Sequence, residues 1–180
     1  MTPWPGARHF PGGATLETKR LRLRLLEERD VDAIAAMFAD AETMKYIGAG
    51  TVFNRNETWR SISSVLGHWL MKGYGMWTVE MRDTGEVVGR VGFIDPEGWP
   101  GFELGWIIAR PHWGKGYATE SVTTAYRYAI ETLKRDRVIS LIRPGNTRSV
   151  RVAEKLGFAR DGMVELLGMP AMVYANKPTA

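Results

Sequence analysis

The chain of 180 residues contains no cysteine. That absence removes disulfide scaffolds, thiolate zinc sites and any route that passes an acyl group through a cysteine thioester. Histidine is almost as scarce: His9, His68 and His112 are scattered without metal-ligand spacing, so no metal site is expected. No apolar run approaches the ~20 residues that cross a bilayer, and the N-terminus lacks the apolar stretch of a secretory leader. The expectation is a cytoplasmic protein with no membrane partner. A strong excess of one charge is missing too. With 24 Lys+Arg against 20 Asp+Glu the net charge is +4, and the basic residues are spread along the chain, so DNA is not expected. A polyanionic small ligand suffices for this balance, and a basic RNA- or ribosome-binding protein is the lesser alternative.

What remains is ordinary globular composition, 44% apolar and 24% charged, in a chain the size of one domain. Residues 1–15 carry Pro3, Pro5, Gly6, Pro11, Gly12 and Gly13 without periodicity and read as a flexible arm. Residues 16–176 form the domain, and 177–180 a tail. From Arg20, arginines at 20, 22 and 24 alternate with leucines at 21, 23 and 25, the period of a strand with one buried face. Asp30 is read as the cap of a helix with Val31, Ile34, Ala35 and Phe38 on one side. Asn54 with Glu57 reads as a capping pair for a second helix. The stretch Met44 to Asn54 between them reads as a loop, long enough to wall a substrate site.

Met76 to Met81, Val87 to Ile94 and Phe102 to Ala109 then read as strands of an antiparallel meander, because turn residues separate them. After Gly116 the spacing becomes helical through Ala118, Val122, Ala125, Ala129 and Leu133, and Val138 to Ile142 reads as a buried strand, which implies a parallel crossover. Asn146 caps a short helix that Gly157 ends, and Phe158 to Leu166 and Ala171 to Ala175 make a closing hairpin across Gly168. The fold class is α+β, one mixed sheet with helices on its faces.

The segment Arg110-Pro111-His112-Trp113-Gly114-Lys115-Gly116 carries the chemistry. A strand that feeds a glycine-bearing turn into a helix N-terminus leaves main-chain N–H groups pointing into one space, reinforced by the helix dipole. Glycines at 114 and 116 let a phosphate approach closely, although the same pattern also serves plain turn geometry. A nucleotide triphosphate loop is excluded, since Lys115 is followed by Gly116 rather than Ser or Thr. A dinucleotide-binding enzyme is a poor second, because Thr119 stands where the third glycine belongs.

Three blocks, Leu16 to Arg24, His112 to Glu120, and Asn146 to Ser149 with Glu154 to Phe158, together resemble the GCN5-related N-acetyltransferase (GNAT) superfamily, in the branch similar to the ribosomal-protein N-terminal acetyltransferases RimJ and RimL. The resemblance implies a sheet whose strands Phe102 to Ala109 and Val138 to Ile142 splay apart around the pantetheine arm of acetyl-CoA. Ile107, Ile108 and Ala109 are then its backbone partners. Gly114, Lys115, Gly116, Tyr117, Ala118 and Thr119 hold the pyrophosphate, Asn146 meets the pantetheine or caps its helix, and Lys155 reaches a terminal phosphate or is a solvated helix charge.

Position 153, where many members place a proton-donating tyrosine, is Ala153. The resemblance therefore points to Glu103 as base and Ser149 as acid, in direct transfer of an acetyl group to an amine acceptor, either a protein N-terminus or a small molecule. Dimers are common among look-alikes, so a homodimer stays open. The competing reading is a non-catalytic acyl-CoA sensor.

Overall fold

Leu21 and Leu23 are fully buried, as the alternation from Arg20 requires, but the opposite side of that strand is covered as well. Arg24 reaches Asp30 through Nη1–Oδ2 at 2.7 Å and Nη2–Oδ1 at 2.8 Å, and Glu80 through Nε–Oε2 at 2.7 Å. All three are at most 7% exposed. A buried charge is tolerated only when paired and hydrogen-bonded, and this cluster meets both conditions.

The computed structural model describes residues 15–177, so the arm expected at 1–15 lies, except for its last residue, outside the described residues, as does most of the tail. Within them an eight-stranded sheet runs in the order β1-β2-β3-β4-β5-β6-β8-β7. Its strands are β1 (Leu16–Glu17), β2 (Leu21–Arg24), β3 (Met76–Met81), β4 (Val87–Ile94), β5 (Glu103–Ile108), β6 (Ile139–Ile142), β7 (Ala159–Leu166) and β8 (Met169–Ala175). Neighbours are antiparallel except β5 and β6, which are parallel. The helices are α1 (Val31–Ala39), α2 (Ala41–Met44), α3 (Arg55–Lys72), α4 (Tyr117–Glu131) and α5 (Thr147–Lys155).

Local chemistry explains most of these boundaries. Asn54 and Glu57 exchange side-chain to backbone hydrogen bonds at 3.0 and 2.8 Å, a complete capping box for α3. At the end of α5 the Phe158 N–H bonds Ala153 C=O at 3.0 Å and the Gly157 N–H bonds Glu154 C=O at 2.9 Å, with Gly157 at φ 79°, the left-handed cap that glycine favours. The β7–β8 hairpin turns through Leu167 and Gly168, both at positive φ.

One expectation changes and one element is added. Asp30 places no side-chain cap on α1; its carboxylate is held by the Arg24 fork, the Glu27 N–H at 2.9 Å and the Thr78 hydroxyl at 3.3 Å. The loop expected at Met44 to Asn54 is preceded by the short helix α2, because Asp40 accepts from the Glu42 N–H. No helix among the described residues is long and apolar enough to cross a membrane.

Burial alone raises the Asp30 carboxyl, but the Arg24 pair and the Glu27 N–H outweigh it and hold the group below the usual carboxylate range. Arg24→Met leaves Asp30 and Glu80 buried without their counter-charge and is expected to cost about 3–5 kcal/mol, read as a lower urea midpoint at pH 7. Because the folded-state pKa of Asp30 is depressed, its contribution is present above the unfolded value and lost as pH falls through the folded one, so the gap between variant and wild type narrows in strong acid.

Candidate active site

β5 and β6 begin as partners and then separate. They are in register at Glu103 and Ile139, where the Ile139 N–H donates to Phe102 C=O at 3.0 Å. One step on, the Ser140 hydroxyl reaches Leu104 C=O at 2.7 Å. The next amide, Leu141 N–H, meets the Glu103 side chain instead of a β5 carbonyl, with Oε1 at 3.3 Å. Beyond it the strands part.

The main chain lining the gap follows from the β4–β5 ladder. Ala109 N–H donates to Val88 C=O at 2.9 Å, so alternation turns the polar groups of Ile107 and Ala109 toward β4 and those of Trp106 and Ile108 toward the opening. Of the expected backbone partners, Ile108 thus faces the gap, Ile107 lines it without offering its amide, and Ala109 lies outside the lining. Trp106 was missed.

A cleft of about 580 Å³ runs from this gap to the start of α4. Gly114, Gly116, Tyr117, Ala118 and Thr119 all line it, whereas Lys115 is exposed outside it. Gly116, at φ 83°, precedes α4, and no side chain caps that helix. The first amides of α4 therefore remain open to an anion. Two devices fix the turn. Trp113 Nε1 donates to Ile108 C=O at 2.6 Å, tying it to β5. Arg20 donates to Lys115 C=O at 3.0 Å, lies 4.6 Å from the Tyr117 ring centroid, and pairs with Glu120 at 2.6 Å. Glu120 also accepts from Thr18 Oγ1 at 2.6 Å. The first and second sequence blocks of the resemblance thus meet in space.

Arg148, Arg151 and Lys155, all on α5, line the same cleft, and Arg148 lies 4.1 Å from the Trp113 ring centroid. Lys155 was expected there; the two arginines were not, although positions 148, 151 and 155 recur at helical spacing. Asn146 caps α5 by accepting from Ser149 N–H at 3.2 Å and also lines the cleft.

A second cavity of about 320 Å³ lies beside the first. Tyr46, Ile47, Trp106, Ile107, Asn146 and Ser149 line both, so the two spaces meet at these residues. Glu103 lines the second cavity and is 8% exposed. Burial pushes its carboxyl up to about 7, against the pull of the Trp99 indole N–H at 2.7 Å and the Leu141 N–H. The Ser149 hydroxyl makes no hydrogen bond among the described residues. Ala153 is buried in the core and faces neither space. Trp99 lines the cavity, while Trp77 is fully buried in the core.

Residues 20–159 match the model of the acetyltransferase (GNAT) domain. The chain belongs to the GNAT acetyltransferase family. An uncharacterized N-acetyltransferase of Bacillus licheniformis is 31% identical over 83% of this chain and 85% of its own length. An acetyltransferase from Agrobacterium tumefaciens superposes with a TM-score of 0.81 at 30% identity, covering 91% of this chain and 94% of that one. RimL, a ribosomal-protein α-N-acetyltransferase solved with coenzyme A, shares the fold at 19% identity with a TM-score of 0.73 over 88% of this chain and 94% of its own.

As a GNAT protein the chain is an acetyl-CoA-dependent acetyltransferase, and the cleft suits that cosubstrate: open amides and basic side chains at one end, unpaired strand edge at the other. In Gly116→Val a branched side chain occupies a left-handed backbone position beside the uncapped amides of α4. CoA affinity is expected to fall by roughly tenfold or more in calorimetry; unchanged affinity contradicts this placement of the pyrophosphate.

Proposed function

We propose that the protein transfers the acetyl group of acetyl-CoA directly to a primary amine, a protein N-terminus or a small molecule, held in the cavity of about 320 Å³. The observation that carries the reading is Glu103, a buried carboxylate whose pKa is pushed up to about 7 at the point where the strands part. A base is needed because amines are protonated at neutral pH. An α-amino group, with pKa ~7.7–8.0, and a lysine-type amine, near ~10.4, must both lose a proton before they attack.

In this reading Gly116 to Thr119 amides hold the pyrophosphate, Trp106 and Ile108 offer main-chain partners to the pantetheine, and Arg148, Arg151 and Lys155 face the remaining phosphate. Bound acetyl-CoA supplies an activated thioester carbonyl. Glu103 takes one proton from the ammonium, directly or through a water, and the freed lone pair forms the C–N bond as the C–S bond breaks. Ser149 hands its hydroxyl proton to the departing sulfur and recovers one from solvent, while the second amine proton, lost as the amide forms, and the proton held by Glu103 both pass to solvent. Its position at the junction of the two spaces, with a free hydroxyl, supports that role in place of Ala153. Holding both reactants in one oriented site contributes much of the acceleration.

Glu103→Gln is expected to lower kcat roughly 10²- to 10⁴-fold while CoA affinity stays within about twofold. Since the base acts when deprotonated, wild-type kcat/KM rises as pH passes about 7, and the variant loses that limb. Thiol release with an amine panel reads both. Full activity in the variant contradicts the assignment, and wild-type protein that binds CoA but turns over no amine supports the sensor reading.

A further inference from the structure

Arg90, on β4, is 4% exposed, yet no hydrogen bond or ion pair engages its guanidinium among the described residues. Its Nε is sealed from solvent without a partner, and its recorded neighbour is the Phe38 ring, 5.8 Å to the centroid. The contrast with Arg24 is direct: that buried arginine is satisfied by two carboxylates. Burial lowers the Arg90 pKa to about 10, so the group remains a cation at neutral pH, and an uncompensated buried charge is costly.

Arg90 lines the acceptor cavity, and its outer nitrogens, unlike Nε, are not among the atoms sealed from solvent without a partner. No carboxylate of the cavity answers it. Glu103 is engaged with Trp99 and Leu141. Arg143, the other cation of the lining, is committed to Gly48 C=O.

Strand geometry relates the two charges. Arg90 pairs with Ile107, and Glu103 stands four residues earlier on β5, so both side chains rise from one face of the sheet, offset by roughly 13 Å along the strand. Gly105 lies between them on that face, and a β-carbon there would meet nothing nearer than Glu103 Oε1 at 3.9 Å. The floor between base and cation is therefore bare.

We propose that this is a carboxylate subsite: the acceptor is a compact amino-acid-like amine whose carboxylate sits in the fork of Arg90 while its amine faces Glu103 and Ser149. A planar guanidinium matches a carboxylate through two parallel hydrogen bonds. A cavity of about 320 Å³ lies at the small end of ligand sites, which suits a molecule of that size. The inference rests on the transfer reading above and adds the chemical class of the acceptor.

The test compares amino carboxylates with their carboxamides, matched in every other group, by thiol release. Wild-type kcat/KM is expected to favour the acid by roughly 10- to 100-fold. In Arg90→Met the ratio falls close to one, and in Arg90→Lys, which keeps the charge without the fork, most of the preference is lost. Equal wild-type rates for acid and amide, or a preference that survives in Arg90→Met, overturn the subsite.

A second measurement needs no turnover: butyrate is titrated into the CoA complex while tryptophan fluorescence is followed, since Trp99 and Trp106 line the cavity. Saturable binding in wild type that vanishes in Arg90→Met supports the subsite, and absence of wild-type binding overturns it. Thiol release missing with every amine, while butyrate binding still depends on Arg90, supports the anion subsite and overturns the transfer reading instead.

Discussion

Everything in the site depends on one interruption of a sheet. β5 and β6 are held together for a single register step and then diverge, and the residue at that step is Glu103. Its carboxylate accepts the Leu141 amide, the first β6 group that β5 can no longer satisfy with main chain. The same side chain therefore terminates the ladder and presents a titratable oxygen to the cavity opened by the termination. Unpaired strand edges are ordinarily a liability; here they turn the main chain of Trp106 and the amide of Ile108, whose carbonyl is taken by Trp113, toward the gap that runs from the α4 N-terminus to Glu103.

That route is useful only if the α4 amides are aimed at it, and the aim comes from contacts distant in sequence. Trp113 hooks the turn back onto Ile108, while Thr18 and Arg20 grip Glu120 and the Lys115 carbonyl from the β1–β2 turn. These bonds lie at partly exposed positions, where each contributes modestly to stability, so their main consequence is positional. The Arg24–Asp30–Glu80 cluster does the heavier structural work by joining β2, β3 and the approach to α1 across a buried space.

Much of this was legible before any coordinates. β3 and β4 begin and end where the turn residues around them put them, and the caps at Asn54, Asn146 and Gly157 are local chemistry that a sequence displays openly. The glycine-bearing turn before α4 was legible for the same reason, since glycine positions and a helix start are adjacent in the chain. Other features needed the third dimension. Asp30 looks like a cap in one dimension, but Arg24 and Glu80 claim it in three. Which of Trp106 to Ala109 faces the opening depends on strand pairing with Val88, which composition does not encode. Arg90 reads as one more surface cation until its strand is found between two packed layers. Arg148 and Arg151 were the recoverable omission, a basic stripe at helical spacing beside Lys155.

The most direct test of the central claim is a crystal structure of the complex with CoA. The account requires pyrophosphate oxygens within hydrogen-bond distance of the amides from Gly116 to Thr119, the pantetheine between β5 and β6 against Trp106 and Ile108, and the sulfur at the junction beside Ser149. A ligand seated elsewhere, or β5 and β6 closed into a continuous ladder past Leu141, contradicts it.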